Sequence, residues 1–377
     1  RILCRAARSI DYFLDEYGED GCCDEGAQYY RHAGLCLFGC LEILNGITDH
    51  AFSFAWKQEK IRNIASYILN VHVDSIYYVN FADCSPVAGR CNAREYLFGK
   101  RTDNRALMEF AASDYQNSED PLTLDEHNLF YRLQTVFSHE EMMESDRNPV
   151  IAHKDLYYES VGLFIARGSR LCLAVKGGDN DDSHNHNDVG SFTIYKDGKP
   201  LFIDAGVETY TKKTFSPDRY DIWTMQSRYH NLPSFTDHGR ETVQQDGGRY
   251  RAEDVRYELG EDVCRISMDI AKAYPDDRIR SYTRSAVLDK EKSITIRDHY
   301  EGDGGTAVLS LMFCEKPSIH QNTIRIGDLG ICTVEGASSI TSEEIPVTDE
   351  RLKTAWKHSL YRCLVTMEAR DLTLTIA

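Results

Sequence analysis

The spacing of apolar residues changes near residue 150, and this change limits the folds that the chain can adopt. Before it, apolar residues recur every three to four positions, as in residues 3–17, which is the period of an amphipathic helix. After it, short apolar or alternating runs such as residues 307–313 are bounded by turn residues, which is typical of β-strands. The sequence therefore predicts a helical domain over residues 1–148 and a β-domain over residues 149–377.

The helical part contains both buried and amphipathic segments. Residues 28–45 are apolar nearly all round, which predicts a helix that is buried on most sides. Residues 54–70 carry apolar side chains on one face only, which predicts an outer, amphipathic helix. Further helical stretches follow before residue 140. This alternation of inner and outer helices favours paired helices stacked in a ring or a solenoid.

The second part reads as a large antiparallel β-sandwich. Residues 191–195 and 201–203 are strand-like and flank an Asp197-Gly198 turn, which is the signature of a β-hairpin. Strand-like runs with turn residues between them continue to the end of the chain, and few helical patterns interrupt them. We expect strands at 171–175, 263–270, 293–297, 307–313, 323–326, 331–334 and 361–367.

Charge and composition exclude several classes of function. The formal net charge is −17, and such an acidic chain is unsuited to nucleic-acid or membrane-surface binding, which need basic patches. No stretch approaches 18 apolar residues, so the sequence predicts no transmembrane helix.

Twelve cysteines without a CxxC pair, several of them in apolar runs, favour buried thiols and a reducing compartment such as the cytoplasm. The chain starts at Arg1 without a visible signal, so a periplasmic or secreted location is the alternative if an N-terminal segment was removed.

Three short segments suggest a metal site. Residues 177–188 are rich in Gly, Asp and Asn and include His184 and His186, which would point to one face of an extended chain. Asp204 ends an apolar strand, and His230 lies in another strand-like setting. Two imidazoles and a carboxylate from adjacent strands make a suitable shell for zinc. The alternative for the histidine pair alone is a polar surface loop.

The same segments resemble the heparinase II/III family. The resemblance lies in Gly177-Gly178-Asp179-Asn180-x-Asp-Ser-His-Asn-His-Asn-Asp-Val-Gly-Ser-Phe192, then Gly198-Lys-Pro-Leu-Phe-Ile-Asp-Ala-Gly-Val-x-Thr-Tyr210, and later His230-Asn231. It covers residues 155–250 strongly and the helical part more loosely, through residues 20–29 and 79–83. Family members have an incomplete (α/α) toroid followed by antiparallel β-sandwich domains. They cleave uronate-containing polysaccharides by β-elimination.

The resemblance implies a role for several residues. By position, His186, Asp204 and His230 match the family's zinc ligands, and that zinc is generally structural. His184 matches the catalytic histidine. Family spacing places a catalytic tyrosine at Tyr77 or Tyr78, and we favour Tyr78 as both base and acid.

The carboxylate-contacting position departs from the family. This chain has Asp24-Glu25 where the resemblance implies Asn or His, and this departure makes Glu25 the candidate for contact with the substrate's carboxylate. Tyr220 is a second candidate tyrosine, and Arg90 and Arg94 can offer a cationic contact.

The predicted function is therefore a lyase acting on a uronate-containing polysaccharide or oligosaccharide. The absence of clustered Lys or Arg favours a weakly sulfated substrate. Two alternatives stay open: a non-catalytic carbohydrate-binding protein, and a metal-dependent hydrolase. The hydrolase motif requires a third His directly after the Asp of H-x-H-x-D, where this chain has Val189. The sequence does not indicate the oligomeric state.

Overall fold

The computed structural model describes residues 2–122 and 128–377, and the chain divides into two units. The first unit comprises Arg1–His72 and Ala88–His153, and the second comprises Val73–Val87 and Lys154–Ala377. Residues 73–87 thus group with the strand-rich half of the chain, although they lie within the helical half of the sequence. The predicted domain boundary between residues 148 and 149 stays a prediction.

The first unit is helical, as predicted. Its second helix buries Leu35, Phe38 and Leu41, in agreement with a segment that is apolar nearly all round. Within the described residues, no helix has the length and apolarity that crossing a bilayer requires. The helices are α1 (Ile2–Glu16), α2 (Gly34–Ile47), α3 (Glu59–Val71), α4 (Ala93–Arg101), α5 (Arg105–Gln116) and α6 (Leu129–Glu144).

The second unit is built from β-strands, and each of the predicted strands is confirmed. Buried and more exposed residues alternate along the long strands, because successive side chains point to opposite faces of a sheet. The strands are β1 (His72–Asp74), β2 (Tyr77–Tyr78), β3 (Leu156–Tyr158), β4 (Leu163–Arg167), β5 (Leu171–Lys176), β6 (Asp179–Asn180), β7 (Phe192–Lys196), β8 (Lys199–Phe202), β9 (Pro233–Asp237), β10 (Arg240–Thr242), β11 (Gly247–Arg251), β12 (Glu253–Leu259), β13 (Val263–Asp269), β14 (Ile279–Asp289), β15 (Ser293–Gly302), β16 (Thr306–Phe313), β17 (Pro317–His320), β18 (Thr323–Ile326), β19 (Gly330–Glu335), β20 (Ala337–Pro346), β21 (Ser359–Met367) and β22 (Asp371–Ile376).

Three large antiparallel sheets form the core of this unit. Their strand orders are β12-β13-β14-β15-β22-β19-β18-β17, β3-β4-β5-β7-β8 and β10-β9-β16-β21-β20. One apolar cluster joins them, with Phe164 and Phe192 from one sheet, Leu288 from the largest, and Phe235 and Leu309 from the third. The predicted fold class, a helical part followed by a large antiparallel β-region, is confirmed.

The predicted hairpin of residues 191–203 is also confirmed. Strands β7 and β8 pair antiparallel, with Lys196 opposite Lys199. The two turn residues between them, Asp197 and Gly198, have φ angles of 50° and 73°. Positive φ at both positions is what a two-residue turn needs to match the twist of the strands. The hairpin ends two residues before Asp204, and so it places that carboxylate.

A buried ion pair connects the largest sheet to the loops beside β7 and β9. Arg284 and Asp298, on β14 and β15, form two hydrogen bonds of 2.8 and 2.7 Å. The remaining guanidinium nitrogen of Arg284 donates to the carbonyl oxygens of Gly190 (2.7 Å) and Asn231 (2.6 Å). The side chains of Arg284 and Asp298 are each 1% exposed. Both charges are therefore compensated within the protein rather than by water.

Removing this arginine should destabilise the β-unit. Arg284→Met leaves the Asp298 carboxylate buried without its cation, which typically costs about 3–5 kcal/mol. We expect a clear fall in the midpoint of thermal unfolding, measured by circular dichroism. Arg280→Met is the matched control, since Arg280 lies on the same strand and pairs with Asp303 at the surface. Its loss should cost no more than about 1 kcal/mol. Equal shifts of the unfolding midpoint for the two variants would show that the buried pair contributes no more to stability than the surface pair.

Candidate active site and metal centre

The three predicted metal ligands come from three loops of the β-unit. His186 lies between β6 and β7, Asp204 lies just after β8, and His230 lies just before β9. All three are buried, with exposed fractions of 1%, 4% and 0%. The expectation that strands carry these residues is wrong. The loops reach the same place because β7, β8 and the chain entering β9 are held side by side in the core.

The side chains of His186, Asp204 and His230 form a group that can hold a metal ion. One potential ligand atom from each residue lies within 4.8 Å of the other two. His186 Nδ1 is buried and has no hydrogen-bond partner among the described residues. An unpaired buried nitrogen is costly, so this atom is suited to receive a ligand. Two imidazole nitrogens and a carboxylate oxygen are a donor set that zinc accepts.

The charges within this group stabilise one another. Asp204 Oδ2 lies 2.8 Å from His230 Nδ1. Burial would raise the pKa of the Asp204 carboxyl, but the interaction with His230 outweighs burial and lowers it. Burial likewise opposes a charged His230, yet the Asp204 carboxylate raises the pKa of that imidazole above its usual value. Asp204 is therefore in the ionised form that a metal ion requires.

The carboxylate of Asp83 is the centre of the hydrogen-bond network beside this group. It is fully buried, and both of its oxygens accept hydrogen bonds. Oδ2 accepts from His184 Nδ1 at 2.8 Å and from the Tyr210 hydroxyl at 2.9 Å. Oδ1 accepts from His186 Nε2 at 3.0 Å and from Arg219 Nη2 at 2.7 Å. Asp83 thus joins the candidate catalytic histidine to a candidate metal ligand.

These contacts decide the charge of Asp83. Burial would raise the pKa of its carboxyl, but the hydrogen bonds from His184 and His186 and the positive charge of Arg219 hold that pKa well below its ordinary value. The carboxylate is therefore ionised and can only accept hydrogen bonds.

His184 does not lie on an extended strand, and the expectation that it shares a strand face with His186 is wrong. It occupies a turn with a φ of +55°, in the left-handed region. This conformation turns the backbone so that the two histidines approach Asp83 with different ring nitrogens. The His184 side chain is 21% exposed, whereas that of His186 is 0% exposed. The first can therefore meet a solute, and the second cannot.

Aromatic side chains surround His184. The Tyr210 hydroxyl lies 3.0 Å from His184 Nδ1, and the two rings stack with an interplanar angle of 25°. The Phe215 ring meets the His184 ring edge-on, and Phe215 is 68% exposed. The guanidinium of Arg351 lies 4.7 Å above the Tyr210 ring. An apolar and a cationic group thus flank the exposed edge of the site.

The predicted tyrosines occupy different environments. Tyr78 is only 1% exposed. Its backbone amide donates to the Pro86 carbonyl at 2.8 Å, and its own carbonyl accepts from the Tyr195 hydroxyl at 3.0 Å. The Tyr220 hydroxyl accepts from Asn185 Nδ2 at 3.0 Å, and burial raises its pKa. Of the two, Tyr220 is the less deeply buried.

The other candidates lie in the helical unit. Glu25 is partly buried in the segment between α1 and α2. Arg90 Nη1 donates to Asp114 Oδ1 at 2.5 Å, and Arg94 Nη1 donates to the carbonyl oxygen of Arg31 at 3.2 Å. Both arginines therefore have acceptors within their own unit.

The sequence analysis missed Asp83, Tyr210 and Arg219 as site residues. Asp83 and Tyr210 lie inside the motifs that resemble the family. Their distance from His184 along the sequence does not indicate that they contact it. Asp83 is 101 positions away from that histidine. The weak signal for Asp83 is an acidic residue directly after the apolar pair Phe81-Ala82, where an unpaired carboxylate would be costly.

Comparison with known proteins agrees with this architecture. Residues 153–320 match the family described as heparinase II/III-like, C-terminal. No curated protein matches the sequence. Among solved structures, the heparan sulfate lyase HepC from Pedobacter heparinus aligns with a TM-score of 0.67 at 14% identity, over 98% of this chain and 54% of that one. A heparinase III with methylated lysines aligns with a TM-score of 0.64 at 15% identity, over 99% of this chain and 54% of that structure's chain.

These likenesses differ in what they establish. The chain spans about half the length of the solved structures that it matches. At such low identity, the structural alignments establish the fold alone. The family match covers the segment that carries His184, His186, Asp204 and His230, and the predicted resemblance is confirmed there. Residues 153–320 therefore match the heparinase II/III-like C-terminal domain, and the helical half of the chain shares only the fold of the solved structures.

Proposed function

We propose that this protein is a lyase that cleaves a uronate-containing polysaccharide or oligosaccharide by β-elimination. The observation that carries the proposal is the pairing of a partly exposed histidine, His184, with a buried group of metal-binding character through the shared carboxylate of Asp83. The names of the similar structures, a heparinase III and a heparan sulfate lyase, support a glycosaminoglycan as the substrate class.

β-Elimination makes three demands on a protein. A base must remove the proton next to the uronate carboxylate, an acid must protonate the departing glycosidic oxygen, and the charge that develops on the carboxylate must be stabilised. We assign one proton transfer to His184. Tyr78 remains the tyrosine that we propose as acid and base. Glu25 and Tyr220 remain proposed contacts of the substrate.

Cations beside His184 support an anionic substrate. The sequence analysis found no cluster of Lys or Arg, but two arginines that are distant in sequence meet here. Arg219 donates to Asp83 Oδ1, and Arg351 lies over the Tyr210 ring and donates to the Asp83 carbonyl oxygen at 3.2 Å. Both arginines place positive charge on the side of the site where His184 lies, which would favour an anionic sugar.

The metal is proposed to be zinc, held by His186, Asp204 and His230. When bound, zinc supplies a fixed positive charge and a link between three loops. The protein's own groups do the remaining work. Asp204 and His230 are held together by their hydrogen bond, and Asp83 orients His186. His184 is left outside the metal group, so the metal has a structural role in this proposal.

Metal content tests the ligand assignment. We expect about one zinc ion per purified chain, measured by mass spectrometry of the elements, since the group has a single set of ligands. His186→Ala should lose most of this zinc and lower the thermal unfolding midpoint, because metal binding contributes to folding free energy. His238→Ala is the matched control, since the His238 side chain is 97% exposed. Full zinc content in His186→Ala would remove this residue from the ligand set.

Product formation tests the reaction. A panel of uronate polysaccharides should yield a product with a rising ultraviolet absorbance, because elimination leaves an unsaturated uronate end. His184→Ala and Tyr78→Phe should each lower the rate by about 10²–10⁴-fold, the usual contribution of a proton-transfer group. Tyr257→Phe, on the exposed strand β12, is the control for loss of a hydroxyl.

The outcomes of this test separate the alternatives. Undiminished turnover in both variants would contradict the assignment of His184 and Tyr78. If Tyr210→Phe lost lyase activity while Tyr78→Phe stayed active, the role of acid and base would be assigned to Tyr210, whose hydroxyl contacts His184. Binding of a polysaccharide without unsaturated product would favour a non-catalytic carbohydrate-binding protein instead.

A further inference from the structure

The two oxygens of Asp83 meet the two histidines through different ring nitrogens. Oδ2 lies 2.8 Å from Nδ1 of His184, and Oδ1 lies 3.0 Å from Nε2 of His186. The carboxylate is fully buried.

This geometry determines where each imidazole carries its proton. A neutral imidazole has one N–H, and a carboxylate can only accept a hydrogen bond. The nitrogen that faces Asp83 must therefore be the protonated one in each ring. His184 is protonated on Nδ1 and keeps its lone pair on Nε2, whereas His186 is protonated on Nε2 and keeps its lone pair on Nδ1.

The lone pair of His186 then lies where the metal group needs it. His186 Nδ1 is buried without a hydrogen-bond partner among the described residues, as is His230 Nε2, and both residues belong to the group with Asp204. The opposite tautomer would present an N–H to the metal position and would exclude coordination. The lone pair of His184 lies on the nitrogen remote from Asp83, where a base that meets a substrate requires it.

The turn that carries Asp83 is itself tied to the metal group. Ala82 has a φ of +54°, and the Cys84 amide donates to the Ala82 carbonyl at 2.8 Å, which makes a tight turn around Asp83. The side-chain amide of Asn80 donates to the Cys84 carbonyl at 3.1 Å and to Asp204 Oδ1 at 3.3 Å. The position of Asp83 is thus fixed relative to the metal ligand Asp204.

We infer that Asp83 is a positioning residue that sets the tautomers of His184 and His186 in opposite senses, one for the substrate and one for the metal. The part that concerns His184 in catalysis rests on the proposed lyase function, whereas the part that concerns the tautomers and the metal does not. Asp83 does not itself contact a substrate in this scheme. Its loss should therefore change kcat and metal affinity more than KM.

The first measurement is made on the wild-type protein, and variants serve only to assign its signals. Protein with ¹⁵N-labelled histidine, loaded with zinc and studied by NMR at alkaline pH, reports which ring nitrogen of each imidazole bears hydrogen. We expect Nδ1–H for His184 and Nε2–H for His186, with their signals assigned from His184→Gln and His186→Gln. Nε2–H at His184, or Nδ1–H at His186, would overturn the inference whether or not the protein is a lyase.

The second measurement uses Asp83→Asn, which keeps the shape of the side chain but replaces one acceptor oxygen by a donor. We expect the Kd for zinc, measured by competition with a chromogenic chelator, to rise about 10–100-fold. We also expect one of the two histidines to change its tautomer. Asp181→Asn is the matched control, since Asp181 is exposed on the same loop as His184 and contacts neither histidine.

Activity then separates this inference from the proposed function. If the wild-type protein is a lyase, Asp83→Asn should lose at least about tenfold in kcat with KM changed less than threefold. A wild-type protein without lyase activity but with both expected tautomers would defeat the lyase proposal and leave the role of Asp83 supported. Unchanged tautomers and zinc affinity in folded Asp83→Asn would defeat the role of Asp83, even in an active lyase.

Discussion

The buried carboxylate of Asp83 is the interaction on which the arrangement of the site depends. A carboxylate without access to water is costly unless its charge and its oxygens are satisfied. Here four donors satisfy it, from His184, His186, Tyr210 and Arg219. His184, His186 and Tyr210 lie outside the strands, and Arg219 begins a short 3-10 helix. The hydrogen bonds to this one buried carboxylate therefore position four side chains at once. They also determine which nitrogen of each histidine ring faces Asp83.

The loops are also held from the side of the sheets. Arg284 donates to carbonyl oxygens of Gly190 and Asn231, which neighbour the segments that carry His186 and His230. The Asn231 side chain donates to the Phe192 carbonyl at 2.6 Å and accepts from the Met312 amide at 2.7 Å. Backbone groups that the strand ladders leave unpaired are thus satisfied by buried side chains. The loops of the site are thus tied directly to the sandwich beneath them, which suits ligands that must be held in a fixed geometry.

The sequence predicted those features of this site that depend on local chemistry. The Asp197-Gly198 pair predicted the hairpin, and the residue types of His186, Asp204 and His230 at the ends of strand-like segments indicated a metal group. It did not predict the turn at His184, because a positive φ in a non-glycine residue depends on tertiary contacts rather than on propensity. It also did not predict the role of Asp83, because a contact between residues 101 positions apart produces no pattern in the local sequence.

The position of Asp83 also bears on how an acidic protein can bind an anionic sugar. The chain carries a net charge of −17, but charges at the surface are screened beyond about 8 Å at physiological ionic strength. The local balance near His184 therefore matters more than the total. Arg219 binds the Asp83 carboxylate, and Arg351 binds its carbonyl oxygen and covers the Tyr210 ring. Asp83 thus binds two cations, one through its carboxylate and one through its carbonyl oxygen, on the side where the proposed substrate would bring its carboxylate.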